Sequence, residues 1–333
     1  MDSSDRPLTG EGRPAGLPQL QDRLFLTDSG LETTLIYRHH LDLPEFAAFV
    51  LLETKAGRER LRAYFECHAA IARGHGAGFI AESATWRANP DWGALLGYDA
   101  DRLAAMNRTA VLELAALRTR LGQTADTFVI SGCLGPRHDG YDPGMRMGAP
   151  EAERYHEAQI QTFADTPVDL VSVLTITYVD EAVGITRAAG RAGLPVVISF
   201  TVETDGRLPS GTTIQDAILQ VDAATGRGPA YYMINCAHPT HFGPALHAGG
   251  TWPLRLRGIR ANASRRSHAE LDAATTLDDG DPVELAVEYR RLVTALPQLT
   301  ILGGCCGTDH RHVAAIVEVC ADLFEPVRAA RQT

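Results

Sequence analysis

The sequence predicts an α/β protein built as a single (β/α)8 TIM barrel. Eight short apolar segments, often rich in β-branched residues, alternate with longer amphipathic segments along the 333 residues. Strands that are apolar along their whole length suit a parallel sheet covered on its faces, and eight strand–helix repeats favour a closed barrel. No Gly-x-Gly-x-x-Gly motif opens a helix after the first strand, which disfavours an open dinucleotide-binding sheet.

Each predicted strand is a run of three to five mostly apolar residues. In chain order they are Leu24–Thr27, Phe79–Ala81, Phe128–Ser131, Leu170–Leu174, Val196–Phe200, Tyr232–Asn235, Leu256–Ile259 and Thr300–Leu302. Helical patterns lie between them. These are Arg58–Arg73, Asp101–Arg120, Glu151–Phe163, Val179–Ala192, Thr213–Ala224, Pro239–Leu246, Pro282–Leu296 and Asp309–Phe324. Several begin at start signals, such as Pro150 and the Asp281-Pro282 pair.

Two connections, Ala84–Tyr98 and Ile259–Asp281, are long for a barrel. Long loops at one face of a barrel usually carry the functional site, so both are candidates for covering a substrate. Residues 1–20 contain three prolines and several glycines and are expected to form a flexible lead-in. Residues 21–330 are expected to form one catalytic barrel domain.

Composition restricts the function. A formal net charge of -10 argues against nucleic acid or an anionic membrane surface as the main partner. No apolar run reaches the roughly 20 residues that cross a bilayer, and no apolar signal core follows Met1, so we expect a cytoplasmic protein. The sequence leaves open whether the protein forms a homo-oligomer. Of the six cysteines, Cys67 and Cys320 fall in helical apolar stripes and are expected to pack as small hydrophobes.

Three other thiols follow predicted strands. Cys236 ends the sixth strand, and Cys305-Cys306 follow the eighth within a glycine-rich turn. The carboxyl ends of barrel strands form one face, so these thiols can meet there and bind Zn²⁺ with one position open. The flanking glycines are expected to let the backbone turn. From the residues alone, an incidental turn, a vicinal disulfide and a phosphate-binding loop stay open as alternatives.

Asn235-Cys236 with Gly303-Gly304-Cys305-Cys306-Gly307 resembles the zinc motifs of the homocysteine S-methyltransferase family, and the resemblance extends over Leu24–Phe324. It implies a (β/α)8 barrel and a zinc ion held by the catalytic residues Cys236, Cys305 and Cys306. It also implies transfer of a methyl group from a small sulfonium or ammonium donor to a zinc-bound thiolate. The leading acceptor is homocysteine, which would give methionine and place the enzyme in methionine biosynthesis.

Other segments resemble the family more loosely: Thr27–Leu31, Glu82–Trp86, Ser131–Pro136 and Asn262–Ser264. With the zinc motif, Thr175 and the nearby acid Glu32 they supply the substrate-binding candidates, which are Asp28, Ser29, Gly30, Glu32, Glu82, Ser83, Trp86, Thr175, Asn235 and Asn262. A cationic donor can bind on an aromatic face. Trp86 is the first choice among the aromatic residues of the predicted loops, which also include Tyr37, Trp92, Tyr98, Tyr141 and Tyr178.

One departure from the family affects the choice of acceptor. The family commonly has Glu-Thr after strand four, and that glutamate is associated with the amino group of homocysteine, whereas this chain has Leu174. Either Glu32, Glu82 or Glu203 binds the amino group in place of that glutamate, or the acceptor is a different thiol. The histidines and arginines of the loops, including Arg260 to His268, could bind a carboxylate, but most are expected to be solvated. A zinc-storing or redox-sensing protein is the remaining alternative.

Overall fold

The computed structural model describes residues 16–246 and 249–324 and confirms the predicted barrel. Eight parallel strands close in sequence order. They are β1 Phe25–Thr27, β2 Gly78–Glu82, β3 Phe128–Leu134, β4 Leu170–Ile176, β5 Val196–Phe200, β6 Tyr231–Asn235, β7 Leu256–Ala261 and β8 Ile301–Gly304. All eight predicted strands are present, and β3, β4, β7 and β8 continue two or three residues further at their carboxyl ends.

The barrel closes because β1 pairs with both β2 and β8. Phe25 lies opposite Gly78 on one side and Ile301 on the other. A buried apolar cluster takes residues from seven of the eight strands and includes Phe25, Tyr231 and Ile301. These positions lie early in their strands, so the amino-terminal half of the barrel interior is apolar. The buried charged side chains of Asp28, Glu82 and Arg260 lie instead at or just beyond the carboxyl ends of their strands.

Eleven helices lie in the described residues. They are α1 Leu31–Thr33, α2 Lys55–Gly74, α3 Pro90–Leu95, α4 Ala100–Arg120, α5 Ala149–Ala164, α6 Val179–Arg191, α7 Ile214–Thr225, α8 Pro239–Leu246, α9 His268–Asp272, α10 Pro282–Ala295 and α11 His310–Cys320. The predicted helices are all present. The short α1, α3 and α9 were not predicted, and two of them lie in the long connections. The N-caps of α3 and α9 are formed by residues close in sequence. Asn89 accepts from the Trp92 N–H, and Ser267 forms a capping box with Glu270.

The amino-terminal segment closes the bottom of the barrel. Residues 1–15 of the expected lead-in lie outside the described part of the chain, whereas Pro18–Leu20 forms a 3-10 turn. Gln19 is fully buried: its side-chain amide donates to the Tyr231 hydroxyl (3.3 Å), and its carbonyl accepts from the Thr300 hydroxyl (2.8 Å). These buried hydrogen bonds attach the turn to Tyr231 of β6 and to Thr300, directly before β8.

Two further sequence expectations concern burial. Cys320 is buried, as expected, but Cys67 is exposed on α2, so its assignment to the core was wrong. Cys67 lies beside the apolar stripe of the helix and not within it. Among residues 16–246 and 249–324, no helix combines the length and the hydrophobicity that crossing a bilayer requires.

Candidate active site at the carboxyl-terminal face

The three predicted cysteines meet at one point above the barrel. The Cys236 Sγ atom lies 2.9 Å from that of Cys305 and 3.4 Å from that of Cys306. Strand β7 brings them together, because both cysteine-bearing turns continue its hydrogen-bond ladder. The Cys236 N–H donates to the Arg260 carbonyl (3.1 Å) and the Cys305 N–H donates to the Ala261 carbonyl (2.8 Å).

The backbone around the cluster is held in unusual conformations. Thr175 and Cys236, which are not glycines, have φ of 65° and 57°. Such left-handed residues are uncommon and persist where the surroundings fix them, often at functional sites. Gly307 also has positive φ (80°), as expected for the turn after the vicinal pair. Gly303 allows close packing of the strands, because a Cβ there would lie 1.8 Å from the Thr27 hydroxyl oxygen.

Asn235 connects the strained residues to the sulfur cluster. Its fully buried side-chain oxygen accepts from the Thr175 N–H (2.8 Å) and from the Ser199 hydroxyl (2.6 Å). Its amide nitrogen donates to the Thr175 hydroxyl (2.8 Å) and toward the Cys305 sulfur (3.7 Å). Asn235 therefore fixes the end of β4 relative to the cysteine turn after β8.

Tyr141 covers the sulfurs from the loop after β3. Its hydroxyl lies 3.4 Å from the Cys236 sulfur and 3.5 Å from the Cys306 sulfur. Its ring stacks on His268 of α9 with centroids 3.8 Å apart, and the His268 Nε2 atom lies 2.7 Å from the Cys236 carbonyl oxygen. The loop after β3 and the long connection after β7 thus contact each other directly at the cluster.

Below the sulfurs lies an inner cavity of about 570 Å³. Its walls include the three cysteines and nine of the ten predicted substrate-binding residues: Asp28, Ser29, Gly30, Glu32, Glu82, Ser83, Trp86, Thr175 and Asn235. The tenth, Asn262, lines neither this cavity nor the outer one. It is buried with its N–H donating to the Ala237 carbonyl (3.1 Å), because the chain turns away after β7 ends at Ala261.

The inner cavity contains a buried arginine among acids. Arg260, only 4% exposed, lies 2.6 Å from an Asp28 oxygen through Nη2 and 3.7 Å from a Glu82 oxygen through Nη1. The expectation that arginines of this segment are solvated is wrong for Arg260. Burial raises the pKa of Asp28 and of Glu32 to about 7, although the Arg260 charge opposes the shift at both residues. The cavity therefore presents both a cation and several carboxyls to a ligand.

An outer cavity of about 940 Å³ lies on the solvent side of the cluster. It shares Glu32, Thr33, Trp86, Thr175, Cys236 and Cys306 with the inner cavity, so the sulfurs lie where the two cavities join. The acids Glu32, Asp139, Asp272 and Asp278 line it, with Arg87 as the one basic residue among its lining residues. Tyr37, Phe46, Trp86 and Tyr141 supply aromatic surface.

Several residues that were predicted to contact a substrate contact other residues of the protein instead. Glu203 lies 3.1 Å from His268 Nδ1 and lines neither cavity, which leaves Glu32 and Glu82 as the acids near the predicted acceptor site. Trp86 lines both cavities, but the Arg87 guanidinium lies 4.3 Å from the centre of its ring. That face of Trp86 is therefore covered by a cation of the protein itself. Trp92, Tyr98 and Tyr178 lie outside both cavities.

The chemistry of the cluster fits a zinc ion. Three sulfurs that bind Zn²⁺ at about 2.3 Å in tetrahedral geometry lie about 3.8 Å from one another. The three Sγ atoms lie within 4.8 Å of one another, so small side-chain movements would bring them to that spacing. Hydrogen bonding from Cys236 and Cys306, together with the Arg260 charge, lowers the pKa of the Cys305 thiol. This favours the thiolate form of Cys305, whereas the same hydrogen bonding together with burial raises the pKa of Cys236, whose thiol a bound metal would have to deprotonate.

Comparison with known proteins decides the family. The sequence profile described as homocysteine S-methyltransferase matches residues 25–320. This chain belongs to the homocysteine S-methyltransferase family. It is thus an enzyme of the methyltransferase class, as the zinc-motif resemblance implied.

Individual relatives are distant. The methionine synthase of Mycobacterium tuberculosis is 27% identical over an alignment of 250 residues, which covers 69% of this chain and 19% of that protein. This family member thus spans about a fifth of the length of that curated relative. The Escherichia coli homocysteine methyltransferase MmuM has the same fold: its oxidized form aligns with a TM-score of 0.70 at 22% identity, covering 90% of this chain and 96% of that chain. Its metallated form gives 0.67 at 21%, covering 89% and 96%.

Proposed function

We propose that this family member is a zinc-dependent thiol S-methyltransferase with homocysteine as its leading acceptor and methionine as the product. The observation that carries the proposal is the position of three cysteine sulfurs at the junction of two cavities. A two-substrate methyl transfer needs this arrangement, because acceptor and donor must approach a common point from different sides.

Cys236, Cys305 and Cys306 are the residues that would hold the metal, with Asn235 orienting Cys305. A zinc ion bound there would lower the pKa of an acceptor thiol, so that its proton passes to solvent, and would keep the resulting thiolate nucleophilic. The acceptor sulfur then forms a bond to the methyl carbon while the bond from that carbon to the donor sulfur or nitrogen breaks. The bonding electron pair stays with the donor, which leaves as a neutral molecule.

The outer cavity favours a cationic methyl donor. Four carboxyl-bearing residues and one arginine line it, and Arg87 is already paired with Asp139 at 3.0 Å. Aromatic rings and excess negative charge together suit a sulfonium or quaternary ammonium group. Glu32 lies in the walls of both cavities, where its carboxylate can face the donor cation.

The inner cavity favours a small thiol acceptor. Its walls support two candidates for the identity of that acceptor. Leu174 lines this cavity and offers no charge to an ammonium group, which favours a thiol other than homocysteine. Glu82 and Arg260 in the same walls favour homocysteine, as do the names of the relatives, a methionine synthase and a homocysteine methyltransferase.

The test combines metal analysis with a methyl-transfer assay. Purified protein is expected to contain one zinc per chain and to methylate homocysteine with a sulfonium donor such as S-methylmethionine or S-adenosylmethionine, or with a betaine. Turnover of other thiols but not of homocysteine would select the second acceptor class. Zinc release on mild oxidation, without methyl transfer in any donor–acceptor pair, would refute the proposal in favour of a redox sensor.

A further inference from the structure

A buried arginine away from the sulfurs joins two of the loops at the barrel mouth. Arg87 lies in the loop between β2 and α3 and is only 7% exposed. Its guanidinium lies against two indole rings, 4.3 Å from the centre of the Trp86 ring and 3.8 Å from that of Trp92. A planar guanidinium stacks on aromatic faces and presents its donors in a rigid fork. The two rings therefore fix the directions in which Arg87 can donate hydrogen bonds.

Arg87 donates to the loop between β3 and α5. Its Nη1 atom donates to the His138 carbonyl (3.1 Å), and its Nη2 atom donates to the Oδ2 atom of Asp139 (3.0 Å). Its Nε atom is buried and has no hydrogen-bond partner among the described residues. Both hydrogen bonds cross from the loop after β2 to the loop after β3, so Arg87 holds the second loop in a fixed position relative to the first.

Asp139 transmits this constraint to Tyr141. Its Oδ2 atom accepts from Arg87, and its Oδ1 atom accepts from the Tyr141 N–H (2.9 Å). Gly140 lies between them against the wall of the barrel mouth, where a Cβ would be 2.7 Å from the Cγ2 atom of Thr175. One carboxylate therefore connects the guanidinium directly to the backbone of Tyr141, and the chain between them has little room to shift.

The Tyr141 hydroxyl is the end of this series of contacts. It lies 3.4 Å from the Cys236 sulfur and donates to the Cys306 sulfur at 3.5 Å. Hydrogen bonds of this kind to the ligands of a metal tune its affinity. His268 holds the ring of Tyr141 by stacking, whereas Asp139 holds its backbone N–H. Loss of the second constraint should therefore move the hydroxyl relative to the sulfurs.

We propose that Arg87 is a positioning residue for the metal centre, which acts through Asp139 to hold the Tyr141 hydroxyl against the cysteine sulfurs. This inference rests on the proposed function, because it treats the three cysteines as the zinc site. The hydrogen bonds of Arg87 go to the loop after β3 and not to the sulfurs. Its effect on the metal must therefore disappear once residue 141 no longer carries a hydroxyl.

The test is a double-mutant cycle on zinc affinity, measured by competition with a chromophoric chelator. Arg87→Gln and Tyr141→Phe should each weaken zinc binding by about 3- to 10-fold. The double variant should bind zinc as tightly as Tyr141→Phe alone, because the two residues act through one contact. Unchanged affinity in Arg87→Gln, or the same further loss when it is added to Tyr141→Phe, would overturn the inference.

Two more variants separate positioning from a general loss of structure. Asp139→Ala changes a half-exposed side chain, so it should fold even if Arg87→Gln does not, and its zinc loss should likewise vanish in the Tyr141→Phe background. Arg102→Gln is the matched control. Arg102 also pairs with an acid and lies over an aromatic ring, 4.3 Å from the centre of Tyr98, but its partners lie outside the loop after β3. It should keep wild-type affinity, and a loss equal to that of Arg87→Gln would count against the inference.

Alkylation of metal-free protein provides a readout that needs neither zinc nor turnover. Iodoacetamide should modify the cluster cysteines about 3- to 10-fold faster in Arg87→Gln than in wild type, measured peptide by peptide by mass spectrometry. In a Tyr141→Ala background Arg87→Gln should cause no acceleration. This difference in a protein that transfers no methyl group would refute the proposed function and leave the assignment of Arg87 standing. Methyl transfer with equal alkylation rates in wild type and Arg87→Gln would do the reverse.

Discussion

Replacement of Asn235 by alanine tests whether one amide organises the sulfur cluster. The substitution removes the acceptor of two buried donors, the Thr175 N–H and the Ser199 hydroxyl, and the donor to the Thr175 hydroxyl. Each unsatisfied buried group costs about 1–3 kcal/mol, so we expect the free energy of unfolding to fall by about 3–5 kcal/mol. Domains of ordinary stability have about 5–15 kcal/mol in total, so the variant should still fold.

The measurement is urea unfolding in the presence of a chelator, followed by competitive zinc titration. Ser199→Ala is the matched control, because it removes one donor and leaves the other three Asn235 contacts; it should cost about 1 kcal/mol. Since Asn235 also contacts the Cys305 sulfur, we expect Asn235→Ala to weaken zinc binding by about 10- to 100-fold. Equal stabilities of the two variants, with unchanged zinc affinity, would refute the reasoning.

Three further predictions address the metal, its cover and the pH dependence of stability. Cys306→Ser should lose bound zinc and turnover, whereas Cys320→Ser, remote from the cluster, should retain both by metal analysis and assay. Tyr141→Phe should keep the His268 stack but weaken zinc binding by about 3- to 10-fold, measured by the same competitive titration. Burial lowers the pKa of His68 to about 4, so only the unfolded chain takes up this proton between about pH 6.5 and 4. Stability should therefore fall across that window as the pH drops, and His68→Gln should flatten the curve by up to about 3 kcal/mol in urea unfolding; an unchanged slope would contradict this.

The strands and the cysteine cluster could be predicted because their signals are local. Each strand is a continuous apolar run, and in a closed parallel barrel the carboxyl ends of all strands meet on one face. Cys236 and the Cys305-Cys306 pair follow strands six and eight, so the topology alone brings them near each other. The remaining information, that both turns hydrogen-bond to β7, comes only from the register of the sheet.

The cover of the site was less predictable. The long connections were identified by their length, but nothing in the local pattern indicates that Tyr141 would stack on His268. These residues are 127 positions apart and belong to loops that pack on each other only once the barrel has closed. The sequence made Trp86 the first choice for binding a cationic donor, whereas the guanidinium of the adjacent Arg87 lies over one face of its ring.

Arg260 shows why a buried charged residue within a strand is difficult to predict from the sequence. The predicted seventh strand ended at Ile259, one residue before Arg260, and charged residues are almost never fully buried unless they are paired. In the structure Arg260 pairs in register with Asn235 of β6 and Gly303 of β8, so it lies inside the sheet. Burying a guanidinium is tolerable only with anionic partners, and these are Asp28, directly after β1, and Glu82, the last residue of β2. The charge is therefore compensated by residues more than 170 positions away, which no local pattern of the sequence connects to Arg260.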